Sequence, residues 1–211
     1  MIVSSLKTKD VLDGGIINIK DPAERLKEAF REFPVIASLC REEDIGELEI
    51  SNVKLAYIMC GGFNILPEII NRVKKAGISP IVYLDFINGL SAREGAVDFV
   101  KYYTDAEAIL TTRSNQVNRA HDLGMYAIQR YFVYDIFSLS TLRTQIASSK
   151  ADMIEILPGV VLDAIKYLSE RIDKPLMVGG FVNNQERLEA AMRAGAVGTS
   201  SSLQKMWHQL G

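Results

Sequence analysis

The chain nearly ends in GAVGTSSS, residues 195–202, and the hydroxyl run from Thr199 to Ser202 contributes nothing to an apolar core. Upstream, another apolar run ends in Gly179-Gly180, and a short helical pattern, LQKMWHQLG, follows the serines. Glycine lets an anion's oxygens come close to backbone N–H groups. The N–H groups that open a helix attract negative charge, and serine hydroxyls add donors. Gly179, Gly180, Thr199, Ser200 and Ser201 are therefore expected to bind a phosphate group. Capping of the last helix accounts for one serine, not for the whole run with Gly-Gly beside it.

A second set consists of polar residues set into apolar runs: Asp85 in PIVYLDF, Gln129 and Arg130 in YAIQRYF, Glu155 in DMIEILP, and Arg113 directly after AEAILTT. Carboxylates accept protons from ligand hydroxyls, and arginine binds an anion or orients a carboxylate. Period-two alternation puts Tyr83 and Asp85 on one face, opposite Val82, Leu84 and Phe86. It puts Glu155 opposite Ile154 and Ile156. One of Gln129 and Arg130 must share the face of Glu155, and alternation alone does not decide which. A structural ion network would use the same residue types.

Other chemistry is poorly supplied. His121 and His208 stand far apart, so no histidine metal cluster is expected, and no metal or other cofactor. Cys40 and Cys60 end neighbouring runs and make neither a scaffold nor a zinc signature; buried, inert thiols are expected. Lys54 and Lys174 precede their runs, at the wrong end for covalent carbonyl chemistry. The small basic patch 71–75 reads as a solvated helix end, and Trp207 as packing. The net charge of −2 lacks the basic surface of a constitutive nucleic-acid binder. There is neither a signal-peptide apolar region nor a run long enough to span a bilayer. A soluble, cytoplasmic protein without membrane contact is the expectation.

The elements that position these residues follow from Pro34 onward. Apolar, β-branched runs at 34–39, 55–60, 80–86, 106–112, 126–132, 152–158, 175–180 and 196–201 alternate with amphipathic stretches. Ser91-x-x-Glu94 reads as a capping box. Ser114 reads as a cap for a helix that Gly124 ends. Asn183 or Asn184 caps a helix closed by Gly195. Strands alternating with helices pair in parallel through right-handed crossovers. Eight such units, in 211 residues that are 48% hydrophobic, predict an α/β fold: a single-domain (β/α)8 TIM-type barrel over 34–211. An open, doubly wound sheet is the alternative. Residues 1–33 form an N-terminal extension with one helix, opened by Asp21-Pro22. In such barrels ligands sit at the carboxyl ends of the strands. The loops after strands seven and eight, with the start of a short extra helix, are a recurrent phosphate site.

PVIASL, YLDFINGL, AILTTR, AIQRYFVYD, DMIEILPG, PLMVGGFV and AGAVGTSS, in this order, resemble the glycerol-3-phosphate-responsive antiterminators, over about residues 34 to 207. The resemblance implies a (β/α)8 barrel that binds glycerol 3-phosphate and acts on leader mRNA of glycerol-utilisation genes, so that transcription passes a terminator. It also implies ligand-binding roles for Asp85, Gln129, Arg130 and Glu155, and phosphate roles for the GG and TSS segments; Arg113 and Gly159, the last closing EILPG, are expected to bind ligand beside them. The chain departs from the family pattern at Tyr83, where many members carry histidine, and at Cys60-Gly61-Gly62, which is smaller than expected. Residues 1–33 have no firm counterpart.

Two functions follow. A sensor would hold phosphate at strands seven and eight and a glycerol-like moiety on Asp85 and Glu155. With its low charge it would engage RNA as a homodimer or with ligand bound. A phosphosugar enzyme would use Asp85 or Glu155 as general acid–base. The lack of a suitably placed lysine, histidine or metal set favours the sensor.

Overall fold

In the computed structural model, residues 22–208 are described. Eight parallel strands close into a barrel in chain order: β1 (Val35–Leu39), β2 (Leu55–Ile58), β3 (Ser79–Tyr83), β4 (Ala108–Thr111), β5 (Tyr126–Phe132), β6 (Met153–Leu157), β7 (Leu176–Gly179) and β8 (Thr199–Ser201). The ring closes through β8 onto β1, with Val35 opposite Thr199 and Ile36 opposite Ser200. This is the (β/α)8 barrel that the eightfold alternation predicts, not the open sheet.

The helices are α1 (Pro22–Glu32), α2 (Ile45–Glu49), α3 (Leu66–Lys75), α4 (Gly95–Tyr103), α5 (Ser114–Asp122), α6 (Ser138–Ser148), α7 (Leu162–Ser169), α8 (Gln185–Arg193) and α9 (Lys205–His208). Period two divides each strand between two cores. Val35, Ala37, Ile58, Val82, Ile109, Ile154 and Val178 meet the helix layer. Ile36, Tyr57, Ile81, Tyr83, Leu110, Ile128, Met153 and Met177 fill the barrel. That interior packing makes the lumen a core, not a channel.

The helix expected near residue 21 is α1; its proposed cap, Asp21, lies outside the described residues, as do residues 1–20. Leu26, Ala29 and Phe30 of α1 join the interior cluster. This helix therefore does more than precede the repeat: its apolar face completes the barrel core.

Local expectations divide by whether the side chain was free to act. Asn184 caps α8, its Oδ1 accepting from the Arg187 N–H at 2.9 Å. Gly124 and Gly195 adopt positive φ at the ends of α5 and α8. The capping box does not form. Helix α4 starts at Gly95, and Ser91 Oγ instead accepts from the Arg93 N–H in a local turn. Ser114 is the first residue of α5, not its cap, and its Oγ accepts from Gln129.

Candidate functional site

At the carboxyl ends of β7, β8 and β1 lies a cavity of about 400 Å³. Ser38, Arg130, Asn183 and the Ser200–Ser202 run supply its polar lining, with Gly180 and Phe181 at the turn after β7. Among the described residues that line it, none is a carboxylate. Trp207 of α9 is fully buried beside it and donates from Nε1 to the Ser201 carbonyl at 2.8 Å. The indole thus packs, as expected, and also fixes the serine turn.

Beneath the cavity is one connected cluster. Register places Arg130 opposite Glu155 on β5 and β6, and Gly179 opposite Ser200 on β7 and β8. Arg130 donates from Nε to Glu155 Oε2 at 2.5 Å, and Ser200 Oγ donates to Glu155 Oε1 at 2.6 Å. Glu155 is completely buried, and Arg130 is 6% exposed. A lone carboxylate there would carry a large desolvation penalty; the arginine and serine offset it. Burial pushes the Arg130 pKa down, but the Glu155 carboxylate outweighs it and the net shift is upward. The guanidinium lies over two rings, 4.4 Å from the Tyr83 centroid and 5.7 Å from that of Tyr57. Burial raises the phenol pKa of both tyrosines. The neighbouring Arg130 charge lowers it by less than burial raises it, so the net shift is upward and both stay neutral at physiological pH.

Gly179 contributes by what it lacks. A Cβ there would stand 2.7 Å from Ser200 Oγ and 3.0 Å from Glu155 Oε1. The glycine is thus explained by room for the Ser200–Glu155 bond. Gly180 and Phe181 follow with φ of 72° and 62°. Two successive left-handed residues turn the chain sharply at the cavity wall. For Phe181 this conformation is strained by roughly 1–2 kcal/mol. Arg187 holds it by donating from Nη1 to the Phe181 carbonyl at 2.8 Å.

The other candidate residues separate from this cluster. Strand β3 stops at Tyr83, and a 3₁₀ turn carries Leu84–Phe86. Alternation therefore fails one residue past the strand. Phe86 does not join the helix layer; it is 53% exposed and stacks on Tyr83. Asp85 reaches the end of β4. Its Oδ2 accepts from the Thr112 N–H at 2.8 Å and hydroxyl at 3.0 Å, and Oδ1 accepts from Arg113 Nε at 3.0 Å. Asp85 and Arg113 are thus brought together, but in a rim cluster of their own, and neither lines the cavity.

Gln129 faces the helix layer. It donates to Ser114 Oγ at 3.1 Å and accepts from Ser149 Oγ at 2.5 Å, which ties α5 to the turn after α6. Thr199 is also on that outer face, opposite Val35 and Val178, and does not line the cavity. Gly159 is placed against Val178 and Val182, its N–H shared by the carbonyls of Gly179 and Gly180 at 2.7 and 3.1 Å. It braces the β7 turn from behind.

The Cys60–Gly62 segment pairs with the loop after β3, Asn88 N–H donating to the Gly61 carbonyl and Phe63 N–H to the Asn88 carbonyl. Cys40 is exposed, not buried, because β1 ends one residue earlier. Cys60 is half-buried, and burial, with Glu42 and Cys40 nearby, pushes its thiol up to about 11. Ser38 was missed by the sequence reading. It is the only hydroxyl in the otherwise apolar run PVIASL, and it shares the inward face of Ile36.

Among the described residues no cluster of metal-ligating side chains occurs, and no helix is long and apolar enough to cross a membrane. The model of the glycerol-3-phosphate responsive antiterminator family matches residues 35–207. The chain belongs to that family. It is 30% identical over 185 residues to YgcP of Escherichia coli K12, itself described as uncharacterized, covering 86% of this chain and 95% of that protein. The crystal structure of a glycerol uptake operon antiterminator-related protein from Thermotoga maritima is similar, with a TM-score of 0.74 and 25% identity over 83% of this chain and 98% of that one. A glycerol uptake operon antiterminator regulatory protein from Listeria monocytogenes superimposes with a TM-score of 0.78. At 22% identity over 82% of this chain and 94% of that one, it shows the shared fold. For this member of the family, then, the fold and family agree, and the match spans every barrel strand.

Proposed function

We propose that this antiterminator is a cytoplasmic sensor of a small phosphate ester, glycerol 3-phosphate by its family, and that it acts on leader mRNA of glycerol-utilisation genes. The observation that carries the reading is the cavity at β7, β8 and β1: one buried cation, a hydroxyl run, a left-handed Gly180 turn and no carboxylate in its lining. Such a lining suits an anion, since every anionic oxygen needs a donor and the carboxylate beneath the floor, Glu155, is paired with Arg130. Phosphate is assigned to the backbone at Gly180 and to Ser201 and Ser202, whose hydroxyl protons are not given to Glu155 as that of Ser200 is, with the glycerol portion lying toward Arg130 and Ser38.

The geometry disfavours the enzyme reading. Both Glu155 oxygens are engaged by protein donors under the cavity floor, and Asp85 is engaged at the rim. Each carboxylate is used to hold structure, and a general base needs reach to a substrate proton.

Thermal denaturation with glycerol 3-phosphate and with inorganic phosphate tests the binding step. Ligand at 100 times its Kd stabilises by roughly 2.7 kcal/mol. ³¹P NMR should show the ligand unchanged, and ligand should raise leader-RNA affinity by a coupling of about 1–3 kcal/mol. No thermal shift with either compound would remove the phosphate site. RNA affinity unchanged by ligand would remove the sensor, and turnover lost in Glu155→Gln would establish the enzyme.

A further inference from the structure

The carboxyl face of the barrel carries a crescent of exposed apolar side chains that lie outside the core. In the loop after β5, Tyr134 is 84% exposed, Ile136 76% and Phe137 86%. The loop after β6 adds the run 160–162, each residue 38–42% exposed, and the loop after β7 adds Phe181 at 71%. Because β5, β6 and β7 are consecutive in the barrel, these loops are neighbours on one rim. Scattered apolar residues on a surface are ordinary, but a contiguous patch of this kind marks an interaction site.

We infer that this crescent is the face on which a second copy of the chain docks. Two observations select that occupant. The first is size. With roughly 150–250 Å² of surface per aromatic side chain, the patch exposes on the order of 800 Å², about one side of a standard protein–protein interface. The second is charge. Across residues 132–137, 158–163 and 181–187, the loops with the first turns of α7 and α8, stand Asp135, Asp163, Glu186 and Arg187. Arg187 is already engaged by the Phe181 carbonyl and Asn183 Oδ1. An RNA backbone needs a surplus of cations to replace its counterions, and this rim has none. An apolar patch bordered by few charges is instead able to pair with its own copy across a two-fold axis. Phe181 is held in its left-handed conformation at the cavity wall and is 71% exposed, so the same residue belongs to the cavity lining and to the crescent.

Sedimentation equilibrium of the full chain without ligand tests this independently of any phosphate or RNA activity. Wild type should have the mass of a dimer in the micromolar range. Tyr134→Ser combined with Phe137→Ser should raise the dimer dissociation constant by about 100-fold or more, as loss of two central aromatic contacts does. Both side chains lie outside the core, so circular dichroism and the thermal transition should match wild type; Ile136→Ser serves as a second variant if they do not. A wild-type monomer throughout the micromolar range overturns the inference. So does a dimer that both variants leave intact, which would place the interface elsewhere. Monomeric wild type whose RNA binding these variants abolish would give the face to RNA.

Discussion

Arg130 and Glu155 meet across the β5–β6 register with Nε 2.5 Å from Oε2, under the floor of the cavity and almost wholly out of water. Their pairing fixes the guanidinium over Tyr83 and leaves Glu155 Oε1 for Ser200. Breaking a buried pair by removing one partner leaves an uncompensated charge and costs about 3–5 kcal/mol. Glu155→Ala and Arg130→Ala should each lower stability by that order in urea denaturation. Arg130→Met with Glu155→Leu should lose clearly less than the sum of the single losses. Additive losses would show that the two residues are not coupled.

Asp85→Asn tests the rim cluster. The substitution keeps the shape but weakens charge-assisted bonds to Thr112 and Arg113, each contributing about 1.5–3 kcal/mol. Stability should fall, while the ratio of glycerol 3-phosphate to inorganic phosphate affinity stays unchanged. A selective loss of glycerol 3-phosphate affinity would move Asp85 into the ligand site.

Gly179→Ala should disturb the cluster from within, since its Cβ would lie 2.7 Å from Ser200 Oγ. Loss of the Ser200–Glu155 bond should destabilise by about 1–3 kcal/mol, the cost of leaving a buried acceptor unmet. Gly180→Ala differs. Its nearest neighbour to a Cβ is Leu157 at 3.6 Å, so the space is free and the cost is conformational, from φ of 72°. Roughly 1–2 kcal/mol is expected, with phosphate affinity falling as the turn relaxes. If Gly180→Ala binds phosphate as wild type does, the anion site lies elsewhere.

Cys60 should be a slow thiol. A shift from 9.0 to about 11 leaves about 100-fold less thiolate at neutral pH than an unshifted thiol has, and thiolate is the reactive form. Alkylation of Cys60 should be negligible at neutral pH and should accelerate steadily as pH rises toward 11. Because the folded value is the higher one, the protonated thiol's contribution to stability is present at neutral pH and is lost as pH climbs past the unfolded value. Peptide mapping after timed alkylation of the native protein gives the rate, and fast labelling at neutral pH would contradict the burial assigned to it.

Much of the site was legible because its cues are local or strictly periodic. Glu155 lies inside a strand flanked by Ile154 and Ile156, so its inward face follows from alternation. Gly180 beside a hydroxyl run was visible as composition. Alternation does not place Asp85, because it holds only to the last strand residue, Tyr83, and a 3₁₀ turn then points Asp85 at the end of β4. By composition the serine run forms one unit. In the barrel Ser200 faces Glu155, Thr199 faces the helices, and Ser201 is held by Trp207 and Leu203.

By itself the sequence determined the eight β–α units, their parallel pairing and the barrel, because periodicity and turn residues act over a few positions. Only the tertiary structure decided which member of the 129–130 pair enters the barrel. Residues 129 and 130 are both nearly fully buried, so hydropathy cannot separate them, and parity is set by a partner on another strand. Arg130 points inward because Glu155 is opposite it and an unpaired buried carboxylate is too costly. Gln129 points outward because Ser114 and Ser149 satisfy its amide there. Those partners are distant in sequence, and only closure of the barrel brings them within hydrogen-bonding reach.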